Sequence, residues 1–194
     1  IQQALFILVS CFAIWFFSKE VKEIRRKILV GKEEDFTDNP ATRWRNLFLL
    51  ALGQKKMFKN PLVALMHLVI YAGFIIINLE VLEIFLDGIL GTHRLFLSPL
   101  GNLYSFLINS FEILALLVLI VCVIFLARRN IIRLKRFISK DLDGWPRSDA
   151  NNILITEIVL MSLFLLMNST DRALQLNQAP GYHETGRFII SGLF

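Results

Sequence analysis

Cysteine, proline, histidine and charge are all scarce in this sequence, and each scarcity removes a class of protein. Two cysteines, Cys11 and Cys122, stand far apart with no CxxC neighbour, so the chain offers neither a disulfide framework nor a thiolate metal site. Both fall in apolar runs and read as small packing residues, which leaves this segment without an iron–sulfur cluster of its own. The glycines are scattered and make no phosphate-binding loop, and no serine or threonine has a histidine in helical register, so a self-contained hydrolase or transferase is not expected. Charged residues are 19% of 194 against 55% hydrophobic, and the mean hydropathy is +0.58, well above the range of an ordinary soluble domain.

What is present is apolar run length. A hydrocarbon core about 30 Å thick is crossed by roughly 20 apolar residues in helix. Segments 1–18, 61–86, 103–127 and 152–168 meet or approach that length; within 153–167 there is no basic residue and one acid, Glu157. The expected fold is therefore all-α, a polytopic transmembrane helix bundle with four spans and the start of a fifth near Arg187. The sequence opens at Ile1 inside one apolar run and stops at Phe194 inside another, so both ends are expected to be cut from a longer polypeptide.

A formal charge of +5 would elsewhere suggest a nucleic-acid partner, so the placement of the charges decides. All 21 Lys and Arg lie outside the four runs: loop 19–60 holds 11 and loop 128–151 holds 7, against Arg94 alone after the second run and Arg172 and Arg187 after the fourth. The positive-inside rule places the two basic loops, with Arg26 and Arg136, in the cytoplasm and puts His93 and His183 outside. Anionic lipid and membrane insertion account for the charge, and no nucleic-acid partner is expected.

Within the first basic loop, Val21, Ile24 and Ile28 keep helical spacing among alternating charges, so the first helix is expected to run on to Gly31. A polar break follows, then a second amphipathic stretch over 41–58 with Trp44 as a membrane-interface residue. In the second basic loop Ile131, Ile132, Leu134, Phe137 and Ile138 interleave with Arg and Lys, the pattern of a helix lying on the inner membrane surface. Ser148 or Asp149 is the expected N-cap of the fourth span.

Of three histidines, His67 alone lies within an apolar run, about two turns from its cytoplasmic end. A histidine at that depth is costly unless paired or bound. It reads either as an axial ligand of a b-type haem, neutral imidazole on iron between apolar walls, or as a hydrogen-bonded link to a neighbouring helix. Ala64 and Gly73 leave room nearby, and Tyr71 shares the face. Lys55, Lys56, Lys59, Arg128 and Arg129 fall at the same end, where they would flank the span in the ordinary way or pair with haem propionates.

The stretch from Ala51 to Phe74, and in it Gly53-Gln54, His67 and Gly73-Phe74, resembles the start of the second helix in nitrate reductase gamma-subunit-like cytochrome b domains. It is most similar to the version joined to iron–sulfur oxidoreductases of the heterodisulfide-reductase-like type, and helix count and topology agree from about Arg43 onward. The resemblance implies a five-helix domain in a bacterial cytoplasmic membrane that carries electrons between membrane quinone and a cytoplasmic iron–sulfur module or subunit through haem b. His67 would be the second-helix ligand, with Lys55, Lys56 and Arg128 as propionate contacts. Two-haem members carry another histidine about three turns later, where this sequence has Ile77 and Asn78, so one haem is implied. The partner ligand would come from the fifth helix, beyond Phe194.

Glu112 lies about three turns into the third span with Asn109 on the same face, Glu157 about one turn into the fourth, and Asn78, Glu80 and Glu83 toward the outer end of the second. Carboxylates at such depth either serve function or fasten helices. Glu112 and Asn109 read as a quinone or proton path, to which His183 on the outer loop would contribute. The competing reading is a non-redox membrane anchor or assembly subunit, or a small-solute transporter working through Glu112 and Glu157. Transport fits less well, because no broken helices recur at matching positions.

Overall fold

The structure is a computed structural model and describes residues 2–32, 38–53, 60–134, 144–180, 188–190 and 192. Six α-helices appear among them: α1 (Gln2–Leu29), α2 (Pro40–Asn46), α3 (Pro61–Leu90), α4 (Leu97–Leu100), α5 (Asn102–Asn130) and α6 (Trp145–Leu176). A π-helical segment, Leu47–Leu52, continues α2, and no strand occurs among the described residues.

Four of these helices, α1, α3, α5 and α6, have 28, 30, 29 and 32 residues and are apolar enough to cross a membrane. At 1.5 Å per residue they are about 42–48 Å long, more than the about 30 Å of the hydrocarbon core. Their large apolar side chains point outward in quantity, among them Phe12, Phe74, Phe106, Ile120, Leu163 and Leu166, while Glu80, Glu83 and Glu112 are buried. That inversion suits a lipid solvent, in which backbone polar groups must be satisfied within the helix. The fold is an all-α transmembrane bundle, and the protein is a multi-pass membrane protein.

Each helix outruns the apolar segment that announces it. α1 continues through the charged stretch to Leu29, where Gly31 closes it by donating its N–H to the Ile28 carbonyl (3.1 Å). α6 begins well before the expected Ser148 or Asp149 cap: Gly144, at φ 79°, turns the chain and Pro146 sits in the first turn, where its missing N–H costs nothing. α6 also runs past residue 168 to Leu176, adding Asp171 and Gln175 to its buried face. Most of the expected start of a fifth helix, and the second half of the amphipathic stretch after residue 134, lie outside the described residues; residues 189 and 190 form a turn.

The chain divides into two units, Ile1–Ala64 with Gly88–Thr92, and Leu65–Asp87 with His93–Phe194. In the first, α1 has no buried residue. The Phe6 ring lies against Gly88, where a Cβ would collide with it, and Gln3 donates its side-chain amide to the Ile89 carbonyl. Cys11, expected to pack, is exposed on α1. Trp44 stacks on Phe48, and both are exposed beside Leu47, Leu49 and Leu50, an apolar surface of the kind that lies at a bilayer interface.

In the second unit the core follows one stripe of α5: Tyr104, Ile108, Phe111, Ala115, Val118 and Cys122, spaced three and four apart, meet Met161 and Phe164 of α6 and Ile77 of α3. Gly73 brings α3 against α5, because any Cβ there would occupy the place of the Val118 Cγ2 methyl. The space expected beside His67 at Gly73 is thus filled by helix packing. At the other end of the unit, Asn151 of α6 accepts from Arg129 Nε (3.0 Å) and donates to Asn130 Oδ1 (3.0 Å), tying the start of α6 to the end of α5.

Candidate functional site

The densest chemistry lies where α3 ends. Glu80, Glu83 and Asp87 recur at intervals of three and four, so they share one face of its last turns. Gly91, at φ 72°, reverses the chain. The acids then hold the returning backbone: Asp87 accepts the N–H groups of Arg94 (2.8 Å) and Leu95 (3.2 Å), and Glu83 Oε1 accepts that of Phe96 (2.7 Å). Arg94 itself adopts φ 57°, a left-handed conformation uncommon outside glycine and costing of order 1 kcal/mol, held by these bonds.

This turn drives the Arg94 side chain inward. Its guanidinium donates from Nη1 to Glu80 Oε1 (2.8 Å) and to the Tyr104 hydroxyl (3.5 Å), from Nε to Asp171 Oδ2 (2.9 Å), and from Nη2 to Asp171 Oδ2 (2.7 Å) and Asn168 Oδ1 (2.9 Å). The Phe188 ring covers it at 5.7 Å. On α6 the partners Asn168, Asp171 and Gln175 again share a face, and Gln175 donates to Asp171 Oδ1 (3.2 Å), the oxygen that also meets His93 Nε2 (3.1 Å). Tyr104 donates to Glu83 Oε2 (2.7 Å). Burial by itself would draw Arg94 toward neutrality; the surrounding Tyr104, Glu80 and Asp171 outweigh it and raise its pKa above the ordinary arginine value, so it is a fixed cation.

Glu112 and Asn109 come together as their spacing predicts. Asn109 Oδ1 accepts the Ile189 N–H (3.1 Å) and Glu112 Oε2 that of Ile190 (3.0 Å), so the pair fastens the 188–190 turn to α5. Glu112 is 0% exposed. Besides this backbone bond, its charge acts on Glu80 at the α3 end. Asn78, grouped by sequence with Glu80 and Glu83, faces outward and donates to the Phe74 carbonyl of its own helix. Glu157 is half-buried and lines, with Asn78, an otherwise apolar groove of about 540 Å³ between α3 and α6 that includes Phe74, Ile77, Phe164 and Met167.

His67 stands apart from this cluster. It is half-buried six residues after the start of α3, about 9 Å along the helix and about 20 Å short of Glu80, and no described residue hydrogen-bonds to it. The contact of Gly73 with Val118 fixes the register of the antiparallel α5 and sets half-buried Arg128 about 6 Å nearer the same end than His67. His93 is at the opposite end of α3, exposed and bonded to Asp171. Lys55, Lys56 and His183 lie outside the described residues.

Sequence reasoning named Glu80, Glu83 and Glu112 but missed Arg94, Asp171, Asn168 and Tyr104. The available signal was the isolation of Arg94: it is the one basic residue between the second and third spans, placed among span ends rich in acids.

No protein-family model matches the chain, and no solved structure matches it. A curated protein of Bacillus subtilis (strain 168), "Probable iron-sulfur-binding oxidoreductase FadF", is 28% identical over 135 residues, which cover 68% of this chain and 19% of that protein. The chain thus spans about a fifth of the length of the relative it matches, and it is a multi-pass membrane protein similar in part to an iron–sulfur-binding oxidoreductase.

Proposed function

We propose that this chain is the membrane domain through which a cytoplasmic iron–sulfur oxidoreductase module exchanges electrons with membrane quinone, using a haem b held by His67. The observation that carries the reading is His67 itself. A half-buried imidazole in an apolar span, with no hydrogen-bond partner among the described residues, has lost solvation without regaining a bond, and ligation of a metal restores it. The partial similarity to an iron–sulfur-binding oxidoreductase supplies the redox context.

Among the described residues, His67 would hold the iron and Arg128, nearer the same end of the span, would meet a propionate through a charge-assisted bond; Lys55 and Lys56, outside the described residues, are the further propionate candidates from sequence. The second ligand is not among the described residues, since His93 is at the far end of α3 and bonded to Asp171. Haem b would supply one-electron transfer there. The positive-inside arrangement supports a cytoplasmic position for this end, in this reading at a bacterial inner membrane and within reach of a docked iron–sulfur module. The quinone and proton path, in this reading, lies in the opposite half with Glu112, Asn109 and His183.

The test is His67→Leu in the full-length protein. Loss of its haem absorption with membrane insertion intact is the expected result. Unchanged haem content, or no haem in the unaltered full-length protein, would overturn the reading.

A further inference from the structure

The Arg94 cluster carries more acid than its one fixed cation can balance. Four carboxylates are buried in it or beside it: Glu80 and Glu83 from α3, Glu112 from α5 and Asp171 from α6, against Arg94. The groups that act on Glu80 are Arg94, Glu83 and Glu112; Tyr104 bridges Arg94 and Glu83, and Asp171 with His93 lies across the guanidinium. Arg172 follows Asp171 on α6, half-buried, and the described turn at 188–190 brings Phe188 and backbone N–H groups but no titratable side chain.

Hydrogen bonding sorts the acids. Both oxygens of Glu83 receive donors, from Phe96 N–H and the Tyr104 hydroxyl, and both oxygens of Asp171 do, from Arg94, His93 and Gln175. These are the environments of carboxylates. With those two ionised against Arg94 the cluster already carries one excess negative charge, and ionising Glu80 and Glu112 as well would leave three in a space cut off from water. Glu80 differs from the others in having a divided carboxyl group. Oε1 accepts from Arg94, while Oε2 is fully buried and no described group donates to it. The Asn168 amide nitrogen, on the second buried residue bonded to the same guanidinium, is also without an acceptor.

We propose that the Arg94 cluster is a proton-binding site in which Glu80 carries the proton on Oε2. A neutral Glu80 keeps its bond from Arg94 through the carbonyl oxygen Oε1, places its hydroxyl where no donor opposes it, and removes one excess charge. The inference stands on this geometry alone and does not depend on haem or quinone.

The test uses the full chain in lipid nanodiscs. An infrared spectrum at neutral pH should show a carboxylic-acid carbonyl band that moves on transfer to deuterium oxide, is lost in Glu80→Gln and persists in Glu83→Gln. Because glutamine copies a neutral carboxylic acid in shape, the Glu80→Gln protein should also melt at the temperature of the unaltered one. A band absent from the unaltered protein, retained in Glu80→Gln, or removed by sodium at constant pH would overturn the proposal, the last showing a metal cation in place of the proton. A Glu80→Gln protein that fails to fold or melts far lower would overturn it too, since the carboxylate would then be the charged partner of Arg94.

Discussion

Replacing Arg94 by alanine removes five hydrogen bonds and the one fixed cation among buried acids, and should cost about 3–5 kcal/mol, the usual penalty for breaking a buried ion pair by deleting one partner. A second route gives the same scale: side-chain hydrogen bonds within membranes average about 0.6 kcal/mol, so five come to about 3 kcal/mol. Lysine at 94 keeps the charge but has a single nitrogen and no planar fork, so it cannot serve Glu80, Asp171 and Asn168 together; a loss of about 1.5–3 kcal/mol is expected. Arg94→Leu combined with Asp171→Leu should be more stable than Arg94→Leu alone, because the double variant leaves one fewer unpaired buried acid. Unfolding by titration from mild into denaturing detergent, followed by circular dichroism, measures all four. An alanine variant that loses less than about 1 kcal/mol, or a double variant no better than the single one, would refute the idea that the Arg94 charge holds these buried acids together.

Gly73→Ala should destabilise the α3–α5 contact by about 1–3 kcal/mol through overpacking, and Val118→Ala added to it should restore part of the loss in the same unfolding assay. Glu112→Gln keeps an acceptor for the Ile190 N–H whereas Glu112→Ala does not, so hydrogen exchange at Ile190 should accelerate in the alanine variant only, at a stability cost of about 1–3 kcal/mol. In a Cys11→Ser, Cys122→Ser background, a cysteine at Gly31 should resist impermeant reagents added to intact cells while one at Thr92 reacts; labelling at Gly31 from outside would invert the assigned orientation.

The spans were legible because a bilayer imposes a run length that composition reveals directly. Their ends were legible only in part. The helical spacing of Val21, Ile24 and Ile28 announced the run of α1 through residues 19–29, whereas residues 169–176 are too polar for hydrocarbon, yet the helix continues through them because each added residue gains a backbone bond once the helix exists. The pairing of Arg94 with Asp171, 77 positions away, has no periodicity to betray it. Helical spacing did place Asn109 with Glu112 and Glu80 with Glu83, but the same neighbourhood argument misplaced Asn78, which two residues from Glu80 points to the opposite side. His67 was legible as an anomaly from its depth alone.

The order of the partners along the chain has a consequence for biogenesis. Glu80 and Arg94 are 14 positions apart and can meet as soon as α3 and the turn after it have left the ribosome, forming a local pair that shields the acid during insertion. Asn168 and Asp171 follow Arg94 by 74 and 77 positions. Until α6 arrives, the guanidinium has donors to spare at Nε and Nη2. Docking of α6 supplies those acceptors, so the cluster closes only once α3, α5 and α6 have met.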